Sequence, residues 1–172
     1  DSLIELRSIG VSRPEIVVAS DLVFSLDKPE KIKAEELLKL DKVSSDRKLL
    51  GISVRDIPHG KDNKPYVIIA EAIDLLIQKY NYYPVFMGFK LPEDSDAAAK
   101  VISHMKNDSA VIFRNYSPDE MLAVFSLFSA FLGMRLHSLI FAMLNLVPAV
   151  GLSYDPKVKA FMESAGLPYF DI

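Results

Sequence analysis

From Leu49 onward the chain alternates short apolar runs with longer segments of helical period, and the links between them are short. Leu49 to Val54 (LLGISV) reads as a buried strand ending at Arg55. A helix over 65–80 follows, with Pro65 in its first turn and Ile69, Ile73, Leu76, Ile77 and Tyr80 at helical spacing. The next strand is expected at 83–88 (YPVFMG), then a helix from Ser95 to Met105 and a strand from Ala110 to Phe113 that ends at Arg114. Ser117-Pro118-Asp119-Glu120 combines a serine cap, a proline at the first helical position and a glutamate three residues after the cap, which together start a helix. That helix runs to about Phe128 and hands over to a strand from Ala130 to Met134. Helix Leu136 to Leu144, strand Val147 to Leu152 and a helix from Asp155-Pro156 to Ser164 complete the series. Such alternation predicts an α/β fold, a right-handed, Rossmann-like parallel sheet with helices on both faces. A hydrophobic content of 50% suits strands buried on both sides.

The first 46 residues read differently from the lobe at 47–172. Ser2 to Ile9 predicts a short helix stopped by Gly10, and Glu15 to Ala19 (EIVVA) a strand. Asp27 to Asp46 interleaves lysine and glutamate and offers only Leu37, Leu38 and Leu40 for packing. It reads as a solvated connector, with a short helix around Ala34 to Leu40 left open. The chain opens on Asp1 rather than methionine, so a fragment of a longer protein is expected. No apolar run reaches the roughly 18 residues of a membrane span. The absence of cysteine excludes disulfides and thiolate metal ligands and fits a cytoplasmic location. A net charge of −3 without a basic stripe argues against nucleic acid as a partner.

Ligands of parallel sheets sit outside the carboxyl ends of the strands, where helix N-termini offer free N–H groups. Arg55, Arg114 and Arg135 each follow a strand directly, and Lys157 opens a helix at another such junction. Any one of them could be a charge surfacing where a strand ends; several on one rim point to an anion site. His137 stands beside Arg135 at a helix entry, either as a proton carrier or as a cap of its own helix. Lys157 opposes the dipole of the helix it opens, a conflict that a bound anion would relieve. His104 reads as surface and His59 as a weak candidate for substrate contact. No G-x-G-x-x-G follows the first strand, so a dinucleotide is not expected, and the Walker, H-E-x-x-H and G-x-S-x-G patterns are absent, so no metal site is expected.

GMRLHSLIFA at Gly133 to Ala142 and VPAVGLSYDPKVKAFMESAGL at Val147 to Leu167, with IVVASDLVF and LGISVR upstream, resemble the polysaccharide pyruvyl transferase family, especially members that modify cell-wall polymers for surface-layer attachment. The resemblance implies the C-terminal lobe of a two-lobed, glycosyltransferase-B-like fold. It implies phosphoenolpyruvate as donor substrate, no separate cofactor, and a saccharide acceptor whose hydroxyl pair becomes a pyruvyl ketal. A lipid-linked acceptor would bring such an enzyme to the membrane periphery. Carried over by position, the family histidine falls on His137, its neighbouring arginine on Arg135 and the family lysine on Lys157. Many relatives have an aspartate where Ser129 stands. They also have an arginine ahead of the position of Asp1 and further helix after that of Ile172.

Phosphoenolpyruvate carries a phosphate and a carboxylate, so Arg135, Lys157 and the amide of Ser138 are expected to bind it, with Arg55 and Arg114 on the same rim. His137 and Lys157 are the expected catalytic pair, with His137 as the general acid or acid/base and the choice of proton donor between the two left open. Two other readings remain. A nucleotide-sugar glycosyltransferase or epimerase of the same fold would use a late acid such as Glu163 or Asp171 for a ribose, and a non-catalytic α/β binding module would carry the rim as ordinary surface.

Overall fold

In a computed structural model the chain is described at residues 2–27, 31–57 and 63–172, with His59 outside that set. Helix α1 (Ser2–Ser8) and a 3-10 turn (Leu22–Ser25) lead to α2 (Lys31–Leu40). After them come β1 (Lys48–Ser53), α3 (Lys64–Tyr80), β2 (Tyr82–Met87), α4 (Glu93–Ile102), β3 (Ala110–Ile112) and α5 (Pro118–Phe125). The chain continues through β4 (Phe128–Gly133), α6 (Leu136–Leu144), β5 (Ala149–Ser153), α7 (Pro156–Ala165) and β6 (Tyr169–Asp171). All pairings are parallel and the sheet order is β3-β2-β1-β4-β5-β6. The chain builds outward from β1 to β3 and then returns through α5 to lay β4 on the other side of β1. Between β1 and β4, therefore, lies the point at which the winding reverses, and ligands of such sheets bind at the crevice there.

Side-chain alternation along the strands feeds two cores. Leu49, Val85, Met87, Ile112 and Phe131 face α2, α5, α6 and α7, while Leu50, Ile52, Val54 and Phe86 face α3 and α4. The first core is aromatic at its centre, with Phe125 within 4.7 Å of Phe131 and 5.3 Å of Phe128 between ring centroids. β4 begins at Phe128 rather than Ala130 because Phe128 already pairs with Leu49, with the register shifting before Ala130 pairs with Leu50.

Three expectations are corrected. Glu15 to Ala19 forms no strand; Val17 and Val18 are 75% and 68% exposed, and no sheet edge among the described residues lies beside them. The 27–46 segment is no solvated connector throughout, because α2 buries Ala34, Leu37 and Leu38 against α5 while Leu40 stays exposed. β6 was not expected; its three residues pair with β5 at the sheet edge. The sheet's other face stays open beyond β1. Leu132, Val150, Leu152 and Phe170 form with α3 an apolar groove of about 1150 Å³.

Candidate functional site

Four loops at the carboxyl edge of the sheet enclose a cleft of about 880 Å³. They follow β2 (Gly88 to Leu91), β3 (Arg114 to Pro118), β4 (Arg135 to His137) and β5 (Tyr154 to Val158). Its lining carries Lys90, Arg114, Arg135, His137 and Lys157 and, among the described residues, the one acid Asp155. Four of the residues expected from sequence thus meet in one place. Ser138 lies buried beneath them in the first turn of α6, and Arg55 lies behind Tyr154.

The two helix starts in the cleft differ. α7 is capped by its own residue: Asp155 Oδ1 accepts the N–H of Lys157 at 2.8 Å, so a protein carboxylate already offsets the dipole there. α6 has Arg135 at its cap position and no side-chain cap. The Ser138 hydroxyl is turned back on the Arg135 carbonyl at 2.6 Å, leaving the first-turn amides to whatever enters the cleft. Gly133 lets β4 run this close under the turn, since a Cβ there would meet Ser138 Oγ at 2.9 Å and Leu139 Cδ2 at 2.8 Å. Of the two helix starts, that of α6 is the one without a side-chain cap.

Arg135 is held rather than loose. Its Nε and Nη2 donate to Asp94, Nε at 3.1 Å to Oδ1 and 3.3 Å to Oδ2. The side chain of Asp94 is fully buried and its Oδ2 also accepts the N–H groups of Phe89 and Lys90 at 2.8 and 2.9 Å. One carboxylate therefore ties the loop after β2 to the start of α6 and pins the plane of the guanidinium, whose Nη1 takes no part in the pairing.

The other arginines are also engaged. Arg114 Nε donates to Asp41 Oδ1 at 3.3 Å, and the Tyr116 hydroxyl donates to Asp41 Oδ2 and to the Leu37 carbonyl at 3.2 Å, which clamps the end of α2 to the cleft wall. Burial, and then the Asp41 carboxylate, push the Tyr116 phenol above its ordinary value, so it stays a donor. Arg55 donates to the Tyr154 hydroxyl, with its guanidinium carbon 4.4 Å from the ring centroid and its buried Nε without a hydrogen-bond partner among the described residues.

His137 is 55% exposed at the side chain, and its Nε2 lies 3.4 Å from Asp21 Oδ2. Asp21, Asp94 and Lys90 are the participants that sequence reading missed. Glu163 and Asp171, the late acids of the glycosyltransferase reading, are taken up by Tyr169 and Lys159 and line no part of the cleft. His104 is exposed outside the cleft, as expected.

A family model described as polysaccharide pyruvyl transferase matches residues 3–156. Among solved structures, the glycosyl transferase family 9 from Veillonella parvula DSM 2008 is similar with a TM-score of 0.54 and 15% identity, over 92% of this chain and 51% of that one. The N-terminal domain of trehalose-6-phosphate phosphatase from Candida albicans is similar with a TM-score of 0.47 and 12% identity, over 98% of this chain and 36% of that one. The likeness to the Veillonella protein is one of fold, a glycosyltransferase-B-like lobe, and this chain spans about half the length of that protein. No curated protein matches significantly.

Proposed function

The chain belongs to the polysaccharide pyruvyl transferase family, and from that premise we propose that its cleft takes phosphoenolpyruvate and passes the pyruvyl group to a saccharide as a ketal. The observation that carries this reading is the uncapped start of α6 with Arg135, His137 and Lys157 on one cleft at the reversal of the sheet. A donor with a phosphate at one end and a carboxylate at the other needs two cationic contacts set apart, and Arg135 and Lys157 come from different strand ends.

The chemistry follows from the donor. His137 delivers a proton to the methylene carbon, and C2 becomes electrophilic and takes the first sugar hydroxyl. The bond from C2 to the phosphate oxygen then breaks, with Lys157 and the first-turn amides of α6 balancing the charge on the departing phosphate. The second hydroxyl closes the ketal. Of the two hydroxyl protons, one ends in the new methyl group by way of His137 and the other on phosphate. The energy comes from the enol phosphate, so no cofactor is assigned. A lipid-linked saccharide acceptor would place the reaction at a membrane surface; among the described residues no helix is long and apolar enough to cross one.

The test is phosphate release from phosphoenolpyruvate by the natural full-length protein, with and without a cell-wall saccharide fraction, and mass analysis of the product. Release that depends on the saccharide and yields a product heavier by one pyruvyl ketal is expected. Transfer of sugar from a nucleoside diphosphate donor instead would replace this reading with the glycosyltransferase one.

A further inference from the structure

We propose that Asp21, on the segment that precedes the sheet, is the positioning residue for His137. This rests on the reading of His137 as the proton carrier of pyruvyl transfer. The carboxylate of Asp21 is itself fixed, because its Oδ1 accepts the N–H of Val23 at 3.0 Å and caps the 3-10 turn Leu22–Ser25. Oδ2 is left to face the imidazole at 3.4 Å. The turn is anchored from one side only. Val23 and Leu26 pack on the aromatic core and Val23 lines the cleft, whereas Leu22 is 85% exposed.

An ion pair this exposed contributes little to stability, so its effect is on where the ring points and which nitrogen reacts. With a carboxylate on Nε2, that nitrogen keeps its proton, and Nδ1 becomes the one that gives its proton to substrate and takes one back. A comparable case is the metal-ligating histidine oriented by an acidic partner, where removing the partner typically costs about 10–100-fold. The lobe of the sheet therefore borrows part of its site from the segment before it.

The experiment uses the full-length protein and four variants: Asp21→Asn, Asp21→Glu, His137→Ala and the double variant Asp21→Asn/His137→Ala. Asp21→Asn should lower kcat by about tenfold or more with little change in KM for phosphoenolpyruvate, and Asp21→Glu should recover part of the loss. In the His137→Ala background, Asp21→Asn should cost nothing further, since the two act as one unit. A readout independent of turnover is the imidazole ¹⁵N spectrum, in which the His137 resonances should move in Asp21→Asn while those of His104 stay. Unmoved His137 resonances, or an equal loss with and without His137, would overturn the proposal. A protein that transfers no pyruvyl group would sink the reaction assigned above; the spectrum would still report whether Asp21 holds the ring.

Discussion

His137 and Lys157 reach the cleft from two helix starts, so their removal should fail in different ways. His137→Ala should lower kcat by about 10²–10⁴ with KM for phosphoenolpyruvate nearly kept, as expected for a proton carrier. Lys157→Ala removes a charge-assisted contact worth about 1.5–3 kcal/mol and should raise that KM by roughly 10–100-fold, with a smaller loss of kcat from its contact with the departing phosphate. Steady-state kinetics on the two variants checks both; the reversed pattern would make Lys157 the donor of the proton. Asp94 is a different kind of residue. Asp94→Ala takes the buried partner away from the part-buried Arg135 guanidinium and from two backbone N–H groups, which should cost about 3–5 kcal/mol in urea unfolding. Arg135, His137 and Lys157 were legible in the sequence because each stands at a strand-to-helix junction, where local order alone sets the rim. Asp94 and Asp21 were not. An acid in the first turn of a helix or at a turn start is common for local reasons, and nothing in the chain order tells that its carboxylate faces a partner from another strand end.

Elements were legible where their period was strong and blurred where tertiary contact decided. The alternation from β1 to α7 emerged as expected, including the capping box of α5, in which Ser117 and Glu120 bond each other's backbone N–H. The EIVVA run has strand propensity but no neighbour to pair with, and propensity without a ladder makes no strand. α2 carried too few apolar residues to announce itself, yet the three it buries, with the Tyr116 clamp behind them, tie it to α5. Tyr116 makes that clamp pH-sensitive. Burial and the Asp41 carboxylate hold its phenol above the ordinary tyrosine value of about 10 in the folded chain, so its contribution to stability is whole below that pH and is lost as pH rises past it. Melting temperature should fall in strong alkali, and Tyr116→Phe should flatten the fall at a cost of about 1 kcal/mol at neutral pH. At β1 the aromatic core demands glycine: a Cβ on Gly51 would meet Phe131 Cε2 at 2.7 Å and Phe128 Cδ2 at 2.8 Å. Gly51→Ala should therefore destabilise by about 1–3 kcal/mol in the same unfolding assay.

For the whole molecule, the strand order puts the reversal of winding between β1 and β4, with a cleft at the carboxyl edge that joins the loops after β2, β3, β4 and β5. That architecture was legible from alternation alone, whereas the strand order was not, because no pattern in the sequence states that β4 returns to β1. The uncapped α6 and the self-capped α7 divide the labour: one end is free to hold an anion, and the other presents Lys157 from a turn already satisfied by Asp155. The most direct measurement is a thermal-shift titration with phosphoenolpyruvate against uridine diphosphate and inorganic phosphate. Binding to the folded state alone stabilises by about 2.7 kcal/mol at a hundredfold excess over Kd. The account predicts a rise in melting temperature with phosphoenolpyruvate that exceeds the rise with phosphate and is lost in Arg135→Ala and Lys157→Ala. A preference for uridine diphosphate, or a phosphoenolpyruvate shift that both variants keep, would contradict it.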